Sequence, residues 1–406
     1  MGACSDIRIL DLSRILAGPW CTQIFADLGA DVIKVENPDG GDDTRRWGPP
    51  YVEGPDGSSA SAYFLSANRG KRSICVDITS PEGQALLRDL AAKSDVVVEN
   101  FKVGGLAKYG LDYDSLRRIN PRLIYCSITG FGQNGPYAGR AGYDFVVQGM
   151  GGLMSITGLP ADAGGGPTKA GVALADVVTG LYASIGILAA LRHRDRTGEG
   201  QQIDIALLDT VVAMLANQGL NYLVSREDGV RLGNAHPSIV PYDSFSTSDD
   251  DITIAVGNDL QFRRLCNVLG LPELALDSRY VTNEARVHNR VELTERLGSA
   301  LRTRPSAYWL AAMNDALIPA GPINGLAQVF ADPQVKHRQL ELKLHHDRLG
   351  EVPGVANPLR FSRTPVTYDR PPPLAGEHTE AVLRQILHMT GSEISRIERS
   401  ALTEER

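Results

Sequence analysis

Between residues 7 and 130 the chain alternates short β-branched runs with helix-patterned segments, and this alternation constrains the fold more than any other feature. IRILDLS (7–13), DVIKVEN (31–37), RSICVDI (72–78), DVVVENF (95–101) and RLIYCSITG (122–130) read as strands. Val and Ile are stiff at χ1 and suit a pleated surface better than a helix. AGPWCTQIFADLGA (17–30) reads as a helix ending near Gly29. PEGQALLRDLAAKS (81–94) reads as another, with Pro81 in its first turn. Strands that alternate with helices build a mostly parallel sheet covered on both faces. The predicted class is α/β, with a Rossmann-like large domain. The first strand runs into SRILAGPW rather than GxGxxG, so a dinucleotide is not indicated.

Residues 170–191, AGVALADVVTGLYASIGILAAL, are long and apolar enough to cross a bilayer, which takes ~20 residues. The segment carries Asp176, however, and no second one exists, so a buried core helix is expected. An isolated buried carboxylate is costly, so Asp176 should be paired, protonated or placed there for chemistry. Gly171 and the loop PADAGGGPT (160–168) put it in the helix's first turns, where the helix N-terminus favours an anion. On spacing alone, an N-cap or a surface aspartate remains open.

At 406 residues the chain is too long for one simple core. QQIDIALLDTVVAMLANQGLNYLVS (201–225) is expected to be a linker helix. DITIAVG (251–257) reads as a strand, and QFRRLCNVLG (261–270) and VELTERLGSALRTR (291–304) as helices. A smaller α+β domain is therefore expected at 226–330, with a return linker at 331–344. The large domain, 1–200, would be completed by 345–406, where RPPPLAGEHTEAVLRQIL (370–387) reads as a proline-stiffened turn and a closing helix. The net charge of −7 excludes a general attraction to nucleic acid or to an anionic membrane. A polyanionic ligand would need a local basic patch. Cys4, Cys21, Cys75, Cys126 and Cys266 are odd in number and lack a CxxC, which fits reduced thiols in the cytoplasm. MGACSDIRILDLS lacks the basic and apolar regions of a signal peptide.

Several ordered motifs carry a resemblance: RILAGPWCTQIFADLGADVIKVENPDGGDDTRRWGPP, NRGKRSICVDI, VVENF, SITGFGQNGPYAGRAGYD, ALADVVTGLYASIGILAAL and RTGEGQQIDIALLD. They cover most of residues 7–210. Through them the chain resembles class III CoA-transferases (the CaiB/BaiF family), which include formyl-CoA transferase. The similarity is strongest to members described as succinyl-CoA:glutarate or itaconate CoA-transferases, through GDDTRRWGPP, AHPSIVPYD, RVHNR and AGPIN. The resemblance implies an interlocked homodimer whose large domain is built from both termini. It also implies CoA esters and small carboxylic acids as substrates, with no tightly bound cofactor and no metal.

What it implies for single residues is specific. Asp176 matches the nucleophile. It attacks a donor thioester to give a mixed anhydride, and the returning thiolate gives an aspartyl-CoA thioester. A carboxyl with a pKa of ~4 is ionised at neutral pH, and mostly so even after a rise of ~2 units. In formyl-CoA transferase a side-chain amide serving the oxyanion occupies the position of Leu16. Backbone N–H groups near Ala17 and Gly18 are the expected substitutes. Val76 matches a residue packed on adenine, Asn100 and Phe101 match residues lining the CoA channel, and Lys108 matches a cation near the phosphates. Arg14, Lys71, Arg72 and Lys102 are candidates for added charge; for each Lys or Arg alone, a solvated surface charge is the alternative. Thr79 and Ala141 stand where the family has CoA-contacting lysines. Tyr143 and Asp144 fall beside the expected acyl pocket, or are a core tyrosine and a turn aspartate. α-Methylacyl-CoA racemases share the fold but carry a histidine at the place of Tyr143, which argues against racemization. A dicarboxylate also needs a partner for its idle carboxylate. The candidates are Arg45, Arg46, His236 and Ser238; alternatively, the two arginines pair with Asp42 or Asp43 and only hold their loop. A non-catalytic CoA-binding protein is the remaining alternative.

Overall fold

Six parallel strands form the central sheet: β1 (Arg8–Asp11), β2 (Asp31–Glu36), β3 (Arg72–Cys75), β4 (Val96–Glu99), β5 (Ile124–Thr129) and β6 (Gln202–Ala206). They are seen in a computed structural model that describes residues 2–394. Their order is 3-2-1-4-5-6, that of a doubly wound sheet. Leu10 of β1 pairs with Ile33 on one side and Val97 on the other, and all three are fully buried. A strand covered on both faces can be apolar throughout, which is why these runs do not alternate. Each strand is shorter than its sequence run. Most of the remainder continues as loop beyond the strand's carboxyl end, where doubly wound sheets place their ligands.

The expected linker helix over 201–225 begins instead as the edge strand β6. QIDIA has period two rather than 3.6, and its main chain pairs with β5, Ile203 opposite Cys126. Helices α6 (Leu207–Met214) and α7 (Ala216–Ser225) follow, divided where Ala216 takes a φ of 45°.

Earlier helices include α1 (Ala17–Asp27), α2 (Pro81–Ala92), α3 (Tyr113–Ile119) and α4 (Asp144–Met150), of which α1 and α4 shape the site. The long apolar segment is α5 (Leu174–Thr197). It packs on α1 through small residues, and a methyl added at Gly180 would meet the Ala17 carbonyl at 2.7 Å. The expected buried core helix hides one face within the chain. Thr179, Ala183 and Ile187 are buried, whereas Leu181, Tyr182, Ile185 and Leu188 are exposed.

The chain divides into two units. The first holds the described residues up to Gly152, Ala170–Gly219 and the described residues from Gln334 onward. Its core includes Leu86, Leu87 and Leu90 of α2, together with Val382, Leu383 and Ile386 of a C-terminal helix, Thr379–Leu387. Residues 395–406 of the expected closing segment lie outside the described residues. The second unit holds Leu153–Lys169 and Leu220–Pro333. Its three antiparallel strands, β7 (Tyr242–Ser246), β8 (Asp251–Ala255) and β9 (Ala320–Pro322), run in the order β9-β8-β7. Phe245, Ile252, Phe262, Leu265, Leu297 and Trp309 pack its core. Residues 153–169, read from sequence as part of the large domain, cluster here; the Thr168 N–H bonds to the Thr157 carbonyl, and Gly233 to Gly158.

Candidate active site

Asp176 is the third residue of α5, which has no side-chain cap. The first N–H groups of a helix lack intrahelical partners. One of them, on Ala175, is taken at 2.8 Å by Asp144, the first residue of α4. Asp144 also accepts from Gln148 Nε2 at 2.7 Å, and Gln148 Oε1 accepts the Ala170 N–H at 2.9 Å. One side chain on each turn of α4 thus holds the chain on either side of the bend into α5.

Burial, with Asp144 adding like charge, pushes the Asp176 carboxyl up to about 7. This corrects the expectation of nearly complete ionisation at neutral pH. The favourable field of the helix N-terminus is outweighed by desolvation and by a neighbouring carboxylate.

Asp176 lines a cavity of about 460 Å³ at the carboxyl ends of β1, β4 and β5, a volume within the range of small-molecule sites. Leu16 and Ala17, at the start of α1, line it too, and Leu16 supplies no side-chain cap to that helix. Arg14, Asn100, Phe101, Lys102, Lys108 and Tyr143 are brought to the same cavity. Asn100 clamps the Arg14 backbone, accepting its N–H at 2.9 Å and donating to its carbonyl at 2.7 Å. Arg14 also pairs with Asp43 at 2.9 Å. Val76 lines an adjoining cavity of about 240 Å³ that shares Arg14, Ile78 and Phe101 with the first. Thr79 lines this second cavity and Ala141 the first. Gly142 closes the first cavity's rim against Gly130, so tightly that a methyl on Gly142 would lie 2.4 Å from the Gly130 Cα.

Three expected cations are placed elsewhere. Arg72 forks onto Asp31 at 2.9 and 2.6 Å and donates to Gln385 at 3.0 Å. Lys71 is fully buried, donating to Asp11 at 3.2 Å, Asn68 at 2.8 Å and the Pro19 carbonyl at 2.9 Å. Arg45 forks onto Glu36 at 2.7 and 2.6 Å and stacks 3.6 Å from the Phe64 ring. All three neutralise carboxylates rooted in the sheet, because an unpaired buried charge would be costly. Arg46 is 65% exposed, 4.0 Å from Asp43, and does not line the cavity. His236 and Ser238 belong to the second unit, where His236 Nδ1 accepts the Ser238 N–H at 3.0 Å.

The sequence reading passed over two residues. Arg140 lines the cavity, held 5.3 Å from the Phe131 ring and 4.7 Å from the Tyr137 ring, and forms no ion pair among the described residues. Its signal was its place in RAGYD. Tyr63 has its phenol raised by burial and then by Asp176, Asp144 and Asp42, and its ring meets Trp47 edge-on at 5.1 Å. Nothing in the spacing of YFLSAN could have linked it to a carboxylate over a hundred residues away.

The description "CoA-transferase family III" matches residues 4–379. The succinate–glutarate CoA-transferase of Agrobacterium fabrum is 56% identical over 383 residues, which cover 94% of this chain and 95% of that protein. The succinyl-CoA:glutarate CoA-transferase of Homo sapiens is 46% identical over 383 residues, covering 94% of this chain and 85% of that protein. A crystal structure of a CaiB/BaiF family protein from Brucella suis matches with a TM-score of 0.82 at 52% identity, covering 94% of this chain and 98% of that one.

Proposed function

Since the chain belongs to CoA-transferase family III, we propose that it moves CoA from succinyl-CoA to a dicarboxylate, glutarate or itaconate, with Asp176 as the covalent nucleophile. The observation that carries this reading is the cavity itself, where, among the described residues, Asp176 is the one carboxylate in a lining that holds four cations, Arg14, Lys102, Lys108 and Arg140. The ionised Asp176 attacks the thioester carbonyl, the C–S bond breaks, and CoA leaves as thiolate. The thiolate then attacks the aspartyl carbonyl of the anhydride and releases succinate. The acceptor carboxylate attacks the aspartyl thioester, and the same two exchanges in reverse return Asp176 and form the new CoA ester. Each half-reaction begins and ends with one thioester and one free carboxylate, the anhydride being only an intermediate, so no co-reactant is needed. The free N–H groups near Ala17 and Gly18 take the oxyanions.

Lys102, Lys108 and Arg140 are the proposed phosphate grip, standing in for the cations absent at Thr79 and Ala141 and for the committed Lys71 and Arg72. Of the two arginines proposed for the idle carboxylate, Arg45 is taken by Glu36, whereas Arg46 is exposed and has only the longer 4.0 Å approach to Asp43. Association of two copies is supported by the uncovered faces of α5 and α4, where Ile185 is 62% and Phe145 59% exposed; that the two interlock is what the family resemblance implies. Racemization is disfavoured because Tyr143 stands at the cavity where α-methylacyl-CoA racemases carry the histidine of a two-base proton exchange.

The test mixes succinyl-CoA with glutarate or itaconate and follows the new CoA ester by mass. Asp176→Ala should abolish transfer, and wild type should yield an acyl or CoA adduct on the Asp176 peptide. A fully active alanine variant refutes covalent catalysis at this residue.

A further inference from the structure

Ile15 has a φ of 71°. A β-branched residue is rarely found in this left-handed region, and such outliers persist only where the surroundings over-determine them. Asn100 clamps the backbone of Arg14, the preceding residue, and one side chain binds Ile15 itself. Both Oδ atoms of Asp42 accept the Ile15 N–H at 3.3 Å. Oδ1 also accepts the Thr44 N–H at 2.9 Å and its hydroxyl at 2.7 Å. Oδ2 accepts from Lys34 Nζ at 2.8 Å, and the same ammonium donates to the Ser13 carbonyl at 3.0 Å. The Asp42 N–H is in turn held by Glu36 Oε2 at 2.9 Å. The Asp42 and Lys34 side chains are fully buried. Burial opposes ionisation of Asp42, but Lys34 and the Thr44 donors outweigh it and hold the carboxyl at about 2. The Asp42–Lys34 pair thus grips the turn from both ends, at Ser13 and at Ile15.

The turn leads directly into the wall of the reaction cavity. Ile15, Leu16 and Ala17 form a continuous stretch of the wall that faces the space Asp176 lines. The chain cannot enter α1 along this path unless Ile15 stays left-handed. The sequence showed Asp42 only as an alternative partner for Arg45 or Arg46, and neither arginine uses it as a close ion pair: Arg45 binds Glu36, and Arg46 approaches Asp43.

We infer that Asp42 is a positioning residue for CoA transfer: its buried carboxylate holds Ile15 left-handed and so fixes the Leu16–Ala17 backbone in the wall of the nucleophile's cavity. The inference rests on the CoA-transfer reading. It predicts a particular kinetic signature. Donors must match where charge develops in the transition state, so a displaced wall lowers turnover and leaves ground-state binding of the CoA ester largely intact.

Asp42→Asn should lower kcat by about 10–100-fold, the usual consequence of displacing catalytic groups by about 1 Å. The KM for the CoA ester should stay within about threefold, since its grip lies elsewhere. Ile15→Gly removes the steric objection to the left-handed turn. In the Asp42→Asn background it should restore at least about tenfold of the lost turnover, read against the Ile15→Gly single variant. A merely structural role for Asp42 would not be rescued in this way. If Asp42→Asn does not fold, Lys34→Met/Asp42→Asn, which leaves no unpaired charge, is measured in its place with the same expectation. Failure of both to fold overturns the proposal by making Asp42 a folding residue. It is equally overturned if the folded variant keeps kcat within about twofold of wild type, or if Ile15→Gly restores nothing. A wild type that transfers no CoA would instead defeat the functional reading beneath it.

Discussion

Asp176 is held in a compromise between burial and reactivity. Its carboxyl sits at about 7, raised first by burial and then by Asp144. A nucleophile must be ionised, so kcat/KM should rise with pH on a limb centred near neutrality. Asp144→Asn removes the like charge while keeping an acceptor for the Ala175 N–H, which should move that limb to lower pH. A pH profile of kcat/KM checks this, and an unmoved limb would assign it to another group. Stability carries the same titration. In the unfolded chain the carboxyl ionises near its ordinary value of 3.8, and in the folded chain near 7. Below about pH 4 both states hold the proton. Between the two values the unfolded state releases it first, so folding stability falls as pH rises through this window, by up to about 4 kcal/mol, and is level above it. Asp176→Asn does not titrate. Its melting temperature should gain on wild type between pH 4 and 7 and keep a constant lead beyond. Glu99, also pushed up to about 7 by burial, titrates in both proteins and cancels from that difference.

At the scale of elements, α5 is asymmetric. Ala175, Gly180, Ala183 and Ser184 are buried, while Leu181, Tyr182, Ile185 and Leu188 face outward. A solvated face would tolerate a charge with little change. Ile185→Asp is instead expected to reduce the assembled mass in sedimentation, with Ile185→Leu as the conservative control. An assembled mass unchanged by the charge would leave that face without a partner subunit. The sequence showed that this segment is a helix but not which residues it hides, because nearly every position is apolar and amphipathic pattern is lost. The strands β1 to β5 were legible for the opposite reason, since their β-branched runs stand between clear helix signals. The strand β6 was missed because QIDIA runs without a turn into ALLDTVVAML, and one helical period swallowed both. Ion pairs were the least legible. Glu36 precedes Arg45 by nine residues and Asp31 precedes Arg72 by 41, and only the sheet brings each carboxylate to its arginine.

For the whole molecule, charge is distributed against the bulk. The chain carries 48 acidic and 41 Lys and Arg residues, so its overall field repels a CoA ester. The cavity reverses this locally with Arg14, Lys102, Lys108 and Arg140, of which Arg14 is already paired with Asp43. Lys108 and Arg140 are exposed, so their pull on a phosphate should be screened by salt. The KM for succinyl-CoA is therefore expected to rise with ionic strength, and Lys108→Ala should raise it at low salt and flatten its salt dependence. Arg140 can be separated from a partner of the idle carboxylate by removing the phosphates from the substrate. Wild type should prefer succinyl-CoA strongly over succinyl-pantetheine, whereas Arg140→Gln should lose about 10-fold or more of that preference, the worth of one charge-assisted hydrogen bond. Its discrimination between glutarate and butyrate should stay as in wild type. If the variant kept its preference for the phosphorylated thioester and lost its preference for glutarate, Arg140 would be serving the acid rather than the nucleotide. The phosphate grip would then fall to Lys102 and Lys108 alone.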